Sequence, residues 1–197
     1  MNLVLFDFDG TVTTSDTFTK FILFSTSKIR LVIGGGALLP LILLNKLGLL
    51  PSHILRPLVS CVAFAGVKED KIKAKAEYFV SNYLPNVIRD GMLNKIEAHK
   101  RRGDFVILVS ASLSPYLEIW CRQLNIELIC SELAVKNERF TGAYINGDCS
   151  RHNKVNLIAN KVKLSDFQHI TAYGDTKEDY AMLELADKSF YKGKPFK

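Results

Sequence analysis

The chain has 197 residues, of which 48% are hydrophobic and 23% charged; it can bury one full domain with a small second one, and it is too apolar for a disordered or low-complexity chain. Lys and Arg outnumber Asp and Glu by 6, yet the positive charges are scattered, with no zinc-finger spacing and no basic aromatic stripe, so the excess suits anionic metabolites or acidic lipid and argues against nucleic acid as a partner. Cys61, Cys121, Cys130 and Cys149 form no CxxC pair and lack a histidine at zinc-site spacing, which leaves thiolate metal sites and dithiol redox chemistry without support and fits a reduced compartment.

The elements in chain order predict an α/β fold: a Rossmann-like parallel sheet core with an inserted α-helical cap. Residues 3–6, LVLF, are a short apolar run that stops at DFDGT, the pattern of a buried central strand delivering polar residues into a loop at its carboxyl end. No basic segment leads into an apolar one ahead of Asp7, so a cleaved signal peptide is not expected, and the expected location is the cytoplasm or the inner face of its membrane. From residue 16 to 85 strand alternation is absent and the pattern is helical: 16–28, an apolar helical hairpin or broken helix around 31–50, a piece near 52–65, and a charged helix at 68–82. Inserted between the first two core strands, this stretch is expected to be a lid of residues 16–85 over a catalytic core of residues 1–15 and 86–197, where it would exclude water and select the substrate. In the core, helices are expected at 91–102, 115–124, 152–160 and 177–185, strands at 105–109 and 169–173, a short hairpin over 131–145 and an edge strand in the tail. Thr176 stands at a helix start with Asp179 three residues on, close to a capping box.

Three of these strands stop at polar residues: the first at Asp7, the second at Ser110, the third at Gly174 and Asp175. All carboxyl ends of a parallel sheet share one edge, so Asp7, Asp9, Ser110 and Asp175 can converge despite their distance in sequence. Asp7 and Asp9 are two residues apart, Gly10 permits a tight turn and Thr11 adds a hydroxyl; one carboxylate can face a metal and phosphorus while the other faces a leaving oxygen. By itself such a pair is as readily a solvated turn. Among the histidines, His169 is expected to be structural, His53 and His99 to sit at the surface or at helix ends, and His152 to line an entrance. With no GxSxG elbow, a serine–histidine hydrolase is a poor account.

DFDGT resembles the first motif of the haloacid dehalogenase-like superfamily, and three further motifs follow in order: Ser110 in LVSAS, Lys154 after DCSRHN, and GDTKED with Asp175 and Asp179. The cap inserted after the first motif is similar to that of the phosphoserine-phosphatase-like branch. The resemblance implies hydrolysis of a phosphomonoester, with Asp7 attacking phosphorus to form an aspartyl-phosphate and Asp9 protonating the departing oxygen and then activating water. It also implies that Ser110 donates to a phosphoryl oxygen and that Lys154 supplies a point charge. Mg²⁺ would be held by Asp7, Asp9 through its backbone carbonyl, and Asp175, with Asp179 as an outer acid. Thr11, Asp16, Arg56 and Arg151 join Ser110 as candidate substrate contacts. Asp16 lies near the position of a substrate-binding cap glutamate in phosphoserine-cleaving members, Ser60 stands near that of their cap arginine with Arg56 as a neighbouring substitute, and Arg151 stands where related sequences often have glycine. A phosphotransferase using the same intermediate, and a membrane-associated binding or scaffolding protein on the same core, remain as alternatives.

The cap contains LVIGGGALLPLILL, residues 31–44, without a charge. As a helix it spans about 21 Å, short of a hydrocarbon core of about 30 Å, and a single crossing here would part Asp7 from Ser110, Lys154 and Asp175. Three expectations remain for this run: peripheral contact with lipid, contact with a second copy in a homodimer, or burial in the cap itself. The cap is similar to the greasy caps of bacterial phosphatidylglycerophosphate phosphatases of this branch. The substrate is accordingly left as a phosphorylated small molecule or a lipid-linked phosphate.

Overall fold

A computed structural model describes all residues from Met1 to Lys197. In chain order the elements are β1 (Leu3–Phe6), α1 (Thr17–Ser25), α2 (Lys28–Lys46), α3 (Ser52–Phe64), α4 (Glu69–Asn82), α5 (Asp90–Arg101), β2 (Phe105–Leu113), α6 (Ser114–Leu124), β3 (Glu127–Ser131), β4 (Leu133–Lys136), β5 (Arg139–Tyr144), α7 (His152–Lys161), β6 (Ile170–Gly174), α8 (Tyr180–Leu185), β7 (Lys188–Tyr191) and β8 (Lys194–Pro195). The sheet runs β3-β2-β1-β6-β7-β8, and every pairing but β7–β8 is parallel. Its central strand β1 is buried throughout, as a parallel strand covered on both faces must be, and this is why LVLF carries no polar alternation.

Side chains that alternate along β1 build two separate cores. Val4 and Phe6 face a cluster that extends through Phe8 and Trp120 to Phe21, Phe64 and Phe79 of the inserted helices. Leu3 and Leu5 face a second cluster with Ile107, Val109, Ile158 and Met182. Trp120, the single tryptophan of the chain, is buried with its ring centroid 5.0 Å from that of Phe8.

The four helices α1–α4 leave and rejoin the sheet layer at one point, where Thr13 and Ile88 form an antiparallel bridge. They are held from the far side by the β4–β5 hairpin: Gly66 N–H donates to the Phe140 carbonyl at 2.8 Å and Phe140 N–H to the Val67 carbonyl at 2.9 Å. The apolar run expected as a hairpin or broken helix is instead part of one continuous helix, α2, that passes through Gly34–Gly36 and Pro40. The glycines serve an approach rather than a break, since a Cβ on Gly34 would lie 2.0 Å from Val62 Cγ1 on α3.

Smaller differences have similarly local causes. The edge strand β3, with Glu127 exposed and Ile129 and Ser131 buried, lacks the continuous apolar run that marks the central strands. Residues 177–179 form a 3-10 turn before α8 begins. His99 does close a helix, α5, but is only 8% exposed; its Nδ1 lies 2.8 Å from Asp104 Oδ2 and its Nε2 3.2 Å from Tyr173 Oη, so it ties the helix end to the sheet.

Candidate active site

The carboxyl ends of β1, β2 and β6 meet at one edge, and the loops that follow them carry the site. After Phe6 the chain holds Asp7 extended and then turns tightly over Phe8–Val12, with Gly10 at φ 80°. A Cβ on Gly10 would lie 2.3 Å from Asp175 Oδ2, so glycine both allows the left-handed backbone and lets the turn touch the loop after β6. Thr11 donates its hydroxyl to Asp175 Oδ1 at 3.2 Å.

Lys154, from the first turn of α7, reaches beneath these loops. Its ammonium donates to Asp7 Oδ1 at 2.6 Å, Asp179 Oδ1 at 2.6 Å and the Val109 carbonyl at 2.9 Å, which uses all three of its hydrogens. Asp7, Lys154 and Asp179 are buried. The two carboxylates share one cation unequally. Asp179 also accepts from the backbone N–H of Asp175 at 3.1 Å and of Thr176 at 2.9 Å, completing a capping box with Thr176. Against its burial, the charge of Lys154 and these donors hold it below the usual carboxylate range. Burial, and then the neighbouring Asp179 charge, raise the Asp7 carboxyl well above its ordinary value in spite of Lys154. Burial and Asp179 also raise Asp175. Asp7, Asp175 and Asp179 bring ligand oxygens within 4.8 Å of one another, a crowded all-oxygen set of the kind that fits a hard dication such as Mg²⁺.

Asp9 stands apart from that trio. Its Oδ1 accepts from the Thr17 N–H at 2.7 Å and the Thr17 hydroxyl at 2.5 Å, its Oδ2 accepts from the Ser112 hydroxyl, and Thr17 Oγ1 lies 2.7 Å from Tyr116 Oη. Burial pushes its carboxyl up to about 6 against these hydrogen bonds. The side chain of Asp9 is therefore a protonatable group held by α1 and by β2, and it does not join the acid cluster expected to bind metal. Ser110 is buried on the cavity wall and accepts from the Ser112 N–H at 3.0 Å, leaving its own hydroxyl hydrogen for a ligand.

A cavity of about 870 Å³ opens over these groups, with Asp7, Asp9, Ser110, Lys154 and Asp175 at its floor and the inner faces of α2 and α3 above. The expected substrate contacts fare unequally. Asp16 reaches the cavity, but both of its oxygens accept from Thr19 (backbone N–H 3.0 Å, hydroxyl 2.5 Å), so it is the N-cap of α1. Arg56 also lines the cavity, yet its guanidinium is ion-paired through Nε and Nη2 with Asp148 (2.8 and 2.9 Å) and Glu178 (2.8 Å). Thr11 and Arg151 are not on the cavity wall: Thr11 positions Asp175, and exposed Arg151 has φ 53° and donates its backbone N–H to the Glu178 carbonyl at 2.8 Å.

Thr17, Ser112, Tyr116, Asp148 and Glu178 were not singled out by their side chains in the sequence. A hydroxyl one residue after a helix N-cap, as at Thr17, and a second serine two residues after Ser110, as at Ser112, are the signals that could have pointed to the pair holding Asp9.

Residues 4–184 match the haloacid dehalogenase-like hydrolase family. The chain is 27% identical over 208 residues to Protein CicA of Caulobacter vibrioides, an alignment covering 98% of this chain and 88% of that protein. A protein with unknown function from Bordetella pertussis Tohama I has a similar structure, at TM-score 0.75 and 19% identity over 95% of this chain and 88% of that one. A substrate-bound phosphoserine phosphatase is similar at TM-score 0.67 and 17% identity, over 96% and 85% of the two chains. The chain belongs to the haloacid dehalogenase-like hydrolases and has the fold of their phosphoserine-phosphatase-like branch.

Proposed function

We propose that this chain is a Mg²⁺-dependent phosphomonoester hydrolase working through an aspartyl-phosphate, with α1–α4 as a cap over the reacting groups. The observation that carries the reading is the division of labour between two aspartates two residues apart: Asp7 shares Lys154 with Asp179, whereas Asp9 is held separately by Thr17 and Ser112 with a carboxyl near pKa 6.

Asp7, Asp175 and Asp179 are the residues that would hold Mg²⁺, which when bound neutralises phosphate charge that would otherwise repel the nucleophile. An Asp7 carboxylate oxygen attacks phosphorus in line as the ester P–O bond breaks, and protonated Asp9 gives its proton to the departing oxygen. Asp9, now a carboxylate, takes a proton from water, which attacks phosphorus and releases inorganic phosphate from Asp7. A group that must give and then take a proton works best with a pKa near the working pH, and burial of Asp9 moves it in that direction. Ser110 offers its hydroxyl to a phosphoryl oxygen, and Lys154 keeps Asp7 oriented while offering positive charge to the phosphoryl group.

The cavity above supports a substrate whose non-phosphate part is largely apolar. The guanidinium of Arg56 gives three donors to Asp148 and Glu178, and that of Arg30 gives three to the Val62, Ala63 and Ala65 carbonyls at the end of α3, so each has most of its five donors committed within the protein and offers a poorer grip on the carboxylate of an amino-acid substrate than a free cap arginine would. A lipid-linked phosphate or a phosphorylated small molecule with an apolar body suits these walls better than phosphoserine.

The test is hydrolysis of an aryl phosphate, with and without Mg²⁺, by the wild type and Asp7→Asn. Mg²⁺-dependent phosphate release that the variant loses is the expected result. Equal turnover in the variant overturns Asp7 as nucleophile.

A further inference from the structure

Helix α2 presents an anomaly that catalysis does not absorb. It has 19 residues, a length of about 28 Å, and its only buried residue is Gly34. One side, with Leu31, Leu38 and Ile42, lines the cavity. The opposite side carries Ile29, Val32, Ile33, Leu39, Leu43 and Leu44, with the first three exposed by 72%, 74% and 69%. At 100° per residue these six fall within one broad sector, and the one charge between Lys28 and Lys46, Arg30, lies beside that sector with its guanidinium turned onto the end of α3. A helix apolar on every side is normally buried; this one is covered on a single side, by α3 and the cavity.

Charge selects what covers the other side. Residues 17–68 contain Lys20, Lys28, Arg30, Lys46, Arg56 and Lys68 and no Asp or Glu; Arg56 is paired with Asp148 and Glu178 and Arg30 is turned onto the end of α3, which leaves Lys20, Lys28, Lys46 and Lys68 exposed. Lys28 and Lys46 bracket the apolar sector at its two ends. Two copies packed antiparallel through this face would set each Lys28 near the other's Lys46 with no acid between them, whereas an anionic lipid layer complements both. Spanning is excluded by the sheet, since β1 before α2 and β2 after it are hydrogen-bonded neighbours.

We infer that α2 is an interfacial helix that lies flat on an anionic bilayer, its outer sector among the acyl chains and Lys28 and Lys46 among the headgroups. Interfacial helices commonly carry their own polar face; here the rest of the protein takes that role, because the inner side of α2 roofs the cavity. Docking in this pose lays the roof of the cavity along the lipid surface. Given the phosphatase reading above, the site then takes a phosphomonoester headgroup from the layer itself, with the apolar cavity wall receiving the first part of the chain.

The experiment uses the full chain and vesicles of phosphatidylcholine alone or mixed equally with phosphatidylglycerol, followed by flotation, with aryl phosphate turnover measured on the same samples. Wild type is expected to float with mixed vesicles at least about tenfold more strongly than with neutral ones, and less so at high salt. Val32→Gln/Ile33→Gln and Lys28→Glu are each expected to lose about tenfold of that binding while keeping turnover of the soluble aryl ester. Absence of flotation with turnover intact overturns the lipid surface and leaves the phosphatase standing; flotation without turnover of any phosphate ester overturns the phosphatase and leaves the surface standing. A dimer in sedimentation that Val32→Gln/Ile33→Gln dissociates, with no vesicle binding, assigns the face to a second copy and overturns the proposal.

Discussion

Asp9 is half-buried among three hydroxyl-bearing side chains, two of which donate to it. Replacing it by Asn removes the proton donor proposed for the leaving oxygen and is expected to lower kcat by about 10² to 10⁴. Thr17→Val keeps the backbone donor to Asp9 but deletes the hydroxyl bond and the link to Tyr116; kcat is expected to fall about tenfold with KM little changed, measured with an aryl phosphate. Full kcat in that variant would remove Thr17 as a positioning residue. Gly10→Ala sets a methyl against Asp175 at a left-handed backbone position, and is expected to weaken Mg²⁺ activation more than folding, read as a rise in the Mg²⁺ concentration needed for half-maximal rate. At this scale the sequence was legible where a residue ends a strand or belongs to an ordered motif, as Asp7, Ser110, Lys154 and Asp175 do. It was opaque where meaning arises between elements: Thr17 and Ser112 look like ordinary hydroxyls until the fold brings both to Asp9, and Arg56 looks like a free cation until Asp148 and Glu178 arrive beside it.

Between elements, the Arg56 contact is the largest charged link from the inserted helices to the core, joining α3 to the loop before α7 and to the turn before α8. The Asp148 side chain is only 4% exposed, so Arg56→Met leaves a buried carboxylate without its partner, and a loss of about 3 kcal/mol in unfolding free energy is expected. Arg56→Met combined with Asp148→Leu should recover part of that loss, and a double-mutant cycle by denaturant titration measures how much. A second tie, at the end of α5, makes a statement about pH. Although burial opposes it, hydrogen bonds from His99 and Asn2 hold the Asp104 carboxyl below its usual range. A depressed carboxyl stabilises the fold at any pH above its unfolded value, near 4, and loses that contribution as pH falls through the folded value. Asp104→Ala is therefore expected to be less stable than wild type by about 2 kcal/mol at neutral pH, with the gap closing below about pH 4; a gap that stayed constant on acidification would assign the loss to packing. The element boundaries around the central strands were readable because apolar runs end abruptly at polar residues. The continuity of α2 was not, since Gly34 signals a break in isolation and a close helix crossing once Val62 stands opposite.

For the molecule as a whole, helices α1–α4 close over a site crowded with carboxylates, so a dication held there would couple to stability. Adding Mg²⁺ is expected to raise the thermal midpoint, because a ligand that binds only the folded state stabilises it by mass action, and Asp175→Asn should abolish most of that rise. A chelator is expected to stop turnover while the far-ultraviolet spectrum stays folded, since the two cores are apolar and contain no metal ligand. The lone indole gives this architecture a further use. Trp120 packs on Phe8, the residue between Asp7 and Asp9, so all tryptophan emission originates beside the turn that carries both aspartates. The lone indole is thus placed as an optical gauge: a titration of Mg²⁺ or of inorganic phosphate is expected to change the intrinsic fluorescence, without a label and without turnover.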